Sequence, residues 1–305
     1  MPMNPARESQ RRSIAFVGLG AMGAGMAARL LDKGYRVTLW NRSRGPAELL
    51  AERVNAECVD TIAGAFAERS IVHSMLSDDR VVLDVFSDEV LAAAPPGRVH
   101  VNHATISPTA AAELAERHAR HGMGYVSAPV LGRSTIASTG ALLVVASGEP
   151  DAVATALPSL GHLGAQVWNL GPDPRLACIA KIAVNYSIAH ALQSIAESVT
   201  LVESAGVDSS TFVDILTHTA FSGSVHRGYG PLIAGQRYEP VGFAMSLGLK
   251  DVMLAESTAS ELGVRLPIAP VLHELFAAAI ADPTLADLDW SAVAEVTRGR
   301  SAEHP

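Results

Sequence analysis

Apolar residues run without a break from Ile14 to Val17 and pass directly into Gly18-Leu19-Gly20-Ala21-Met22-Gly23. A short apolar run closed by glycine is the pattern of a strand buried on both faces, here 13–17, and the small residues after it predict a helix toward Leu31. Gly34 breaks that helix, and 36–40 predicts a second strand closed by Asn41-Arg42-Ser43-Arg44. The alternation continues, with helices over 47–53 and 62–69 and strands over 57–59, 71–76 and 99–102. Ser107-Pro108 caps a helix over 109–121. Further strands are expected over 124–127, 142–146 and 166–170. Gly171-Pro172-Asp173-Pro174 is then a sharp break, with Asp173 as N-cap of a helical segment reaching about Ala205. No strand signal of comparable strength follows. The expectation is therefore an α/β domain over 1–170 and an all-helical domain over 171–305.

The glycine run acquires meaning from its neighbours. A strand, a glycine turn, a helix and a second strand within about 30 residues form the context of a dinucleotide fingerprint. Gly18 permits the tight turn, Gly20 lets the backbone approach a pyrophosphate, and Gly23 lets the helix pack on the sheet. The amides of Ala21 and Met22 open the helix toward the anion. Residues 13–28 carry no charge, but the run is closed by Arg29 and is shorter than about 18 residues, so a strand and turn are favoured over a membrane span.

Composition narrows the class. The chain has 305 residues, 49% hydrophobic and 18% charged, with a net charge of −8. Such a balance fits a compact soluble protein and argues against nucleic-acid and membrane-surface partners. Arg7, Arg11 and Arg12 in the polar N-terminal tail read as a solvated leader without a secretory signal. Two cysteines, Cys58 and Cys178, without metal-ligand spacing fit a reducing, cytoplasmic compartment. Eleven histidines are present, but His100/His103 and His118/His121 lack a ligand set, so they are expected to be solvated or hydrogen-bonded and no metal is expected.

At the end of the second strand a carboxylate would bind the ribose hydroxyls of NAD. This chain has Asn41 and Arg42, with Ser43 and Arg44 beside them, which favours the 2′-phosphate of NADP over NAD, unless Arg42 is one more surface arginine. In a parallel sheet the ligand lies at the carboxyl ends of the strands, so Met75, Leu76 and Ser77 should border the cofactor. Thr105 should place a hydroxyl in the crevice. Early in the long helix, Lys181 and Asn185 stand four apart in apolar surroundings, hence on one face. Burial lowers the pKa of a lysine and suits it to proton transfer near neutrality. A lysine snorkelling to solvent beside an incidental asparagine is the competing reading.

The fingerprint continuing to Ala27, Asn41-Arg42-Ser43, Ala128-Pro129-Val130-Leu131-Gly132, Lys181-x-x-x-Asn185, and Phe243 with Leu249-Lys250-Asp251 resemble the β-hydroxyacid dehydrogenase family over about residues 13–298. The chain is most similar to the glyoxylate and succinic semialdehyde reductase branch, at Phe243, Lys250, Asp251 and Asp287-Leu288-Asp289-Trp290. The resemblance implies a Rossmann-type domain followed by a helical domain, an active site between them, and a homodimer or homotetramer. It implies NADPH-dependent reduction of a small aldehyde, semialdehyde or keto acid, with Lys181 as general acid and Asn185 orienting it. Lys250 would meet an anionic group of the cofactor, and Asp251 and Phe243 the substrate. Two departures bear on the substrate. Asn102-His103-Ala104-Thr105 replaces Asp-x-Ser-Thr, and Leu131 replaces a serine that holds the substrate carboxylate. Thr105, Gly132 and Arg133 remain as anchors in a more apolar pocket. Imine reductases resemble this family and have such pockets, but carry Asp or Tyr where this chain has Lys181. A cofactor-binding protein without catalysis is a third reading.

Overall fold

The computed structural model describes residues 13–67 and 70–302. The tail arginines and the last two residues of the expected 62–69 helix lie outside them. The chain divides into two compact units after Lys181. That division falls inside a continuous helix rather than at the 170/171 break, because the first turns of the helix are bonded into the sheet-containing unit. The Ala177 amide donates to Ser147 Oγ at 3.0 Å, and the Cys178 thiol donates to Ser127 Oγ at 3.7 Å.

In the first unit, strands β1 (Ser13–Val17), β2 (Arg36–Trp40), β3 (Ala56–Cys58), β4 (Ile71–Ser74), β5 (Val99–Asn102) and β6 (Gly124–Ser127) lie parallel in the order β3-β2-β1-β4-β5-β6. Strand β8 (Leu142–Gly148) adds antiparallel to β6, and β7 (Val130–Leu131) and β9 (Gly164–Asn169) pair with β8. The strand order reverses between β1 and β4, which opens a crevice at their carboxyl ends. Helices α1 (Ala21–Asp32), α2 (Arg44–Ala51), α3 (Ile62–Ala67), α4 (Asp79–Val85), α5 (Asp88–Ala92), α6 (Pro108–Arg120) and α7 (Pro150–Leu163) accompany the strands. One apolar core joins β1 and β5 to α1 and α7 through Phe16, Val101, Met26, Leu30 and Leu160. Another joins Val72 and Tyr125 to Phe66, Phe86 and Leu114.

The pattern reading did not anticipate α4, α5 or α7. The first two are short and depend on caps, with Asp78 accepting from the Val81 amide at 3.0 Å and Ser87 from Val90 at 3.4 Å. Helix α7 contains Pro158 and Gly161, both breakers by propensity, yet Ala152, Val153, Ala156, Leu160 and Leu163 are buried. Tertiary packing outweighs local preference there. Ser107 caps α6 as expected, accepting from Ala110 at 3.0 Å.

Helix α8 (Arg175–Ser204) leads into the second unit, which continues with α9 (Ser209–His218), α10 (Ser224–Ala234), α11 (Met245–Glu261), α12 (Ala269–Ala281) and α13 (Val293–Ala302). Its core gathers Leu192, Val199, Val252, Leu272, Phe276 and Trp290. Arg298 fixes α13 to α8 with donors at 2.9 and 3.0 Å from the Glu203 carboxylate, and to the end of α10 through Ile233 O at 2.9 Å.

Four histidines are buried in the first unit: His73, His100, His103 and His118. His103 Nδ1 is 2.7 Å from Ala128 O and must donate to it, so its Nε2 accepts from His73 Nδ1 at 2.8 Å, and His73 Nε2 stands 3.0 Å from Ser159 Oγ, whose one hydrogen also points to Ala156 O at 2.8 Å. By the same logic His118 Nδ1 donates to Leu114 O at 2.6 Å. His100 then donates to His118 at 3.0 Å, and its Nε2 stands 2.8 Å from Ser74 Oγ, whose one hydrogen is shared with Asn102 Oδ1 at 3.1 Å. Burial away from solvent favours the neutral form of all four rings. Among the described residues no group of three or more His, Cys, Asp or Glu side chains is arranged to hold a metal.

Desolvation lowers the pKa of all four, to about 4 for His103 and for His118. Unfolded imidazoles titrate near 6.5, so below that pH the unfolded chain binds protons that the folded chain does not. The stabilisation is therefore complete above about pH 6.5 and is lost as pH falls toward 4. Urea unfolding at pH 7.5 and 5 should show a loss on the order of 2 kcal/mol for each of His103 and His118 at the lower pH. Equal stability at the two values would contradict the neutral assignment.

Candidate active site

The turn between β1 and α1 is shaped by backbone approach. Gly18 has φ +88°, its amide donates to Trp40 O at 2.9 Å, and a Cβ there would stand 2.4 Å from Met75 O. A Cβ at Gly23 would stand 2.1 Å from Gly18 O, so the helix can lie on the turn only without a side chain. Gly20 is different, since a Cβ there would meet nothing within 4 Å. It is the exposed N-cap of α1, and the first-turn amides of Ala21, Met22 and Gly23 have no intrahelical carbonyl to reach. An open, electropositive helix start beside a glycine with free space fits a dinucleotide pyrophosphate.

Asn41 closes this turn from β2. Its Oδ1 accepts from the Leu19 amide at 2.8 Å, and its Nδ2 donates to Ser43 O at 2.9 Å and Ser43 Oγ at 3.0 Å. Arg42 and Ser43 are exposed beside it. Arg44 is engaged elsewhere, paired with Glu48 and Asp60. Met75 and Leu76 are half-buried just past β4, with the Met75 amide bonded to Val17 O at 2.9 Å. Thr105 is half-buried past β5. Past β6, Leu131 at the end of β7 and Arg133 are half-buried, and Gly132 between them has φ +135°. The His103 bond to Ala128 O ties the end of β5 to the residue after β6, which makes His103 hydrogen-bonded rather than solvated and gives it a support role that no local pattern pointed to.

Lys181 and Asn185 are both buried, 7% and 4% exposed, on one face of α8. In the second unit, Asn185 Nδ2 donates to Asp251 Oδ2. Asp251 is 2% exposed, and its Oδ1 lies 3.6 Å from Lys250 Nζ. The carboxylate thus holds the Asn185 side-chain amide in one orientation. Phe243 is half-buried ahead of α11. Asn185, Lys250 and Asp251 are brought together. Asp251 is reached through Asn185, a pairing that residues 66 apart in sequence could not reveal.

The model of the family described as "NAD binding domain of 6-phosphogluconate dehydrogenase" matches residues 13–171, and that described as "NAD-binding of NADP-dependent 3-hydroxyisobutyrate dehydrogenase" matches residues 177–297. The chain belongs to the 3-hydroxyisobutyrate dehydrogenase-like family of NAD(P)-binding oxidoreductases. An uncharacterized oxidoreductase of Bacillus subtilis, YfjR, is 35% identical over 92% of this family member and 98% of its own length. Glyoxylate/succinic semialdehyde reductase 1 of Arabidopsis thaliana is 29% identical over 93% and 98%. The solved Mycobacterium tuberculosis 3-hydroxyisobutyrate dehydrogenase with L-serine superposes with a TM-score of 0.85 at 29% identity, covering 94% and 99%. An imine reductase of Streptomyces aurantiacus gives a TM-score of 0.63 at 25% identity, covering 93% and 99%. No described helix of this dehydrogenase relative is long and apolar enough to cross a membrane.

The glycines separate folding from binding. Gly20→Ala should leave stability within about 1 kcal/mol, since its Cβ has room, while weakening NAD(P)H binding tenfold or more by filling the space for the pyrophosphate. Gly23→Ala should destabilise by about 2 kcal/mol or more through overpacking against Gly18. Thermal unfolding together with fluorescence titration of the reduced cofactor checks both. Equal effects of the two substitutions on stability would refute the assignment.

Proposed function

We propose that the protein is an NADPH-dependent reductase of a small carbonyl compound, an aldehyde, semialdehyde or keto acid, with Lys181 as general acid. The observation that carries this reading is the buried Lys181 on one helical face with Asn185, whose amide is held by Asp251. When bound, the reduced nicotinamide supplies the hydride for the carbonyl carbon. Lys181 Nζ donates a proton to the carbonyl oxygen, and in the reverse direction the neutral amine accepts it. Asn185 adds an orienting acceptor without adding charge. Arg42 is the guanidinium offered to a 2′-phosphate, because Arg44 is already paired and Asn41 is used in holding the turn. Leu131 makes the substrate site more apolar, while Gly132, Arg133 and Thr105 remain to bind the substrate's polar groups.

Assays of NADPH and NADH consumption with aldehydes, keto acids and cyclic imines test this. Carbonyl turnover should fall at least a hundredfold in Lys181→Ala, within the usual range for a general acid. Arg42→Ala should raise the KM for NADPH about tenfold and leave NADH unaffected, with Arg44→Ala nearly silent. Turnover of imines alone would replace this reading with an imine reductase, and cofactor binding without any turnover with a non-catalytic binding protein.

A second copy of the chain is the proposed macromolecular partner. The exposed side of α8 presents Ala183, Val184, Ser187, Ser194, Glu197 and Leu201, small and apolar positions interrupted by the Glu197 carboxylate, with Leu201 72% exposed. Light scattering should give at least twice the chain mass, and Leu201→Glu should lower it. A monomeric mass for the unmodified protein would overturn the proposal.

A further inference from the structure

The segment from Gln236 to Ala244, which connects α10 to α11 and carries Phe243, is held by one buried carboxylate. Asp289 is 2% exposed. Its Oδ2 accepts from the amides of Gly242 at 3.0 Å and Phe243 at 2.9 Å. Its Oδ1 accepts from the Ser291 amide at 3.0 Å and Ser291 Oγ at 2.6 Å. Four donors converge on the two oxygens, so both are satisfied there without a cation. The backbone reinforces the link, since the Asp289 amide donates to Tyr238 O at 3.2 Å and the Trp290 amide to Phe243 O at 2.9 Å.

Trp290 supplies the second half of the clamp. Its ring stands 4.6 Å from that of Phe243, tilted by 57°, and is 5.9 Å from Tyr229 and 6.4 Å from Phe276. Gly248 brings α11 against the same rings, because a Cβ there would lie 2.6 Å from Phe276 Cε1 and 3.2 Å from Trp290 Cε3. Trp290 Nε1 is buried with no hydrogen-bond partner among the described residues. Leaving an indole N–H unpaired is unfavourable, so packing bulk against Phe243 and α11 outweighs polar satisfaction at this position. The backbone of Phe243 is therefore fixed by Asp289 and its ring by Trp290.

We infer that Asp289 and Trp290 are positioning residues that set where the Phe243 ring stands and thereby tune substrate KM without touching substrate. This rests on the reading in which Phe243 walls the pocket of a carbonyl reductase. In Asp289→Asn one acceptor oxygen becomes an NH2 group, which faces backbone donors in either orientation, so part of the clamp is lost. Trp290→Phe keeps the carboxylate clamp and reduces only the bulk behind Phe243.

The test measures kcat and KM for a two-carbon and a four-carbon aldehyde, with amide hydrogen exchange at Gly242 and Phe243, in the full chain. Asp289→Asn should speed exchange at both amides and raise aldehyde KM about tenfold, with kcat and the NADPH KM within about twofold, the signature of lost uniform binding. Trp290→Phe should leave exchange unchanged but alter the ratio of the two aldehyde KM values at least about threefold. It decides the matter alone if Asp289→Asn does not fold. Unchanged KM values in the folded variants, or a fall in kcat with KM unchanged, would overturn the inference while the unmodified enzyme remains active. Absence of carbonyl turnover by the unmodified protein would instead overturn the underlying reading, and this inference with it.

Discussion

Close approach between backbones at the carboxyl ends of β1 and β4 is the constraint on which the nucleotide-binding unit depends. Gly18 lies against the carbonyl of Met75, and Gly23 lies against the carbonyl of Gly18, so turn, helix and neighbouring strand share one small volume. No side chain can enter it. Because the turn is held from below by the sheet and from the side by Asn41, the start of α1 presents its amides in one direction before any anion arrives. Rigidity of this kind reduces what must be ordered on binding.

The two units solve the problem of buried polarity differently. In the first, imidazoles, hydroxyls and carbonyls pair in two chains on opposite faces of the sheet, where burial favours neutral rings. In the second, carboxylates are buried, Asp289 with donors on both oxygens and Asp251 with a donor on Oδ2 and the Lys250 ammonium 3.6 Å from Oδ1. Asp251 takes the Asn185 amide and Asp289 takes a loop and a turn. The first arrangement stiffens a scaffold. The second orients particular groups, an asparagine in one case and an aromatic wall in the other, and depends on residues far apart in the chain.

Much of the fold can be read from sequence because its strands are short apolar runs bounded by glycine and its long helix follows an unmistakable break. The strands at Ser13–Val17, Arg36–Trp40 and Val99–Asn102 coincide with their expected limits. Helix α7 was not legible, because Pro158 and Gly161 mask a face that only the sheet reveals. The same divide runs through the candidate site. Lys181 and Asn185 declare themselves by spacing on one helix, and the glycine turn by its flanking strands. The partnership of Asp251 with Asn185 and that of Asp289 with the Phe243 loop are long-range, and no local pattern encodes them. Arg44 illustrates the opposite error, a nearby cation whose charge is already satisfied by Glu48 and Asp60.

The histidine chains carry a consequence for how this sequence can change over generations. Each ring's proton position is dictated by its neighbour, from a backbone carbonyl at one end to a serine hydroxyl at the other. Replacing one histidine by an apolar residue strands a nitrogen on the next, whereas replacing both members of a pair removes the donor and the acceptor together. His73 with His103, and His100 with His118, are thus energetically coupled pairs. Loss of one ring in a pair costs more than its own contacts, because it unpairs the other.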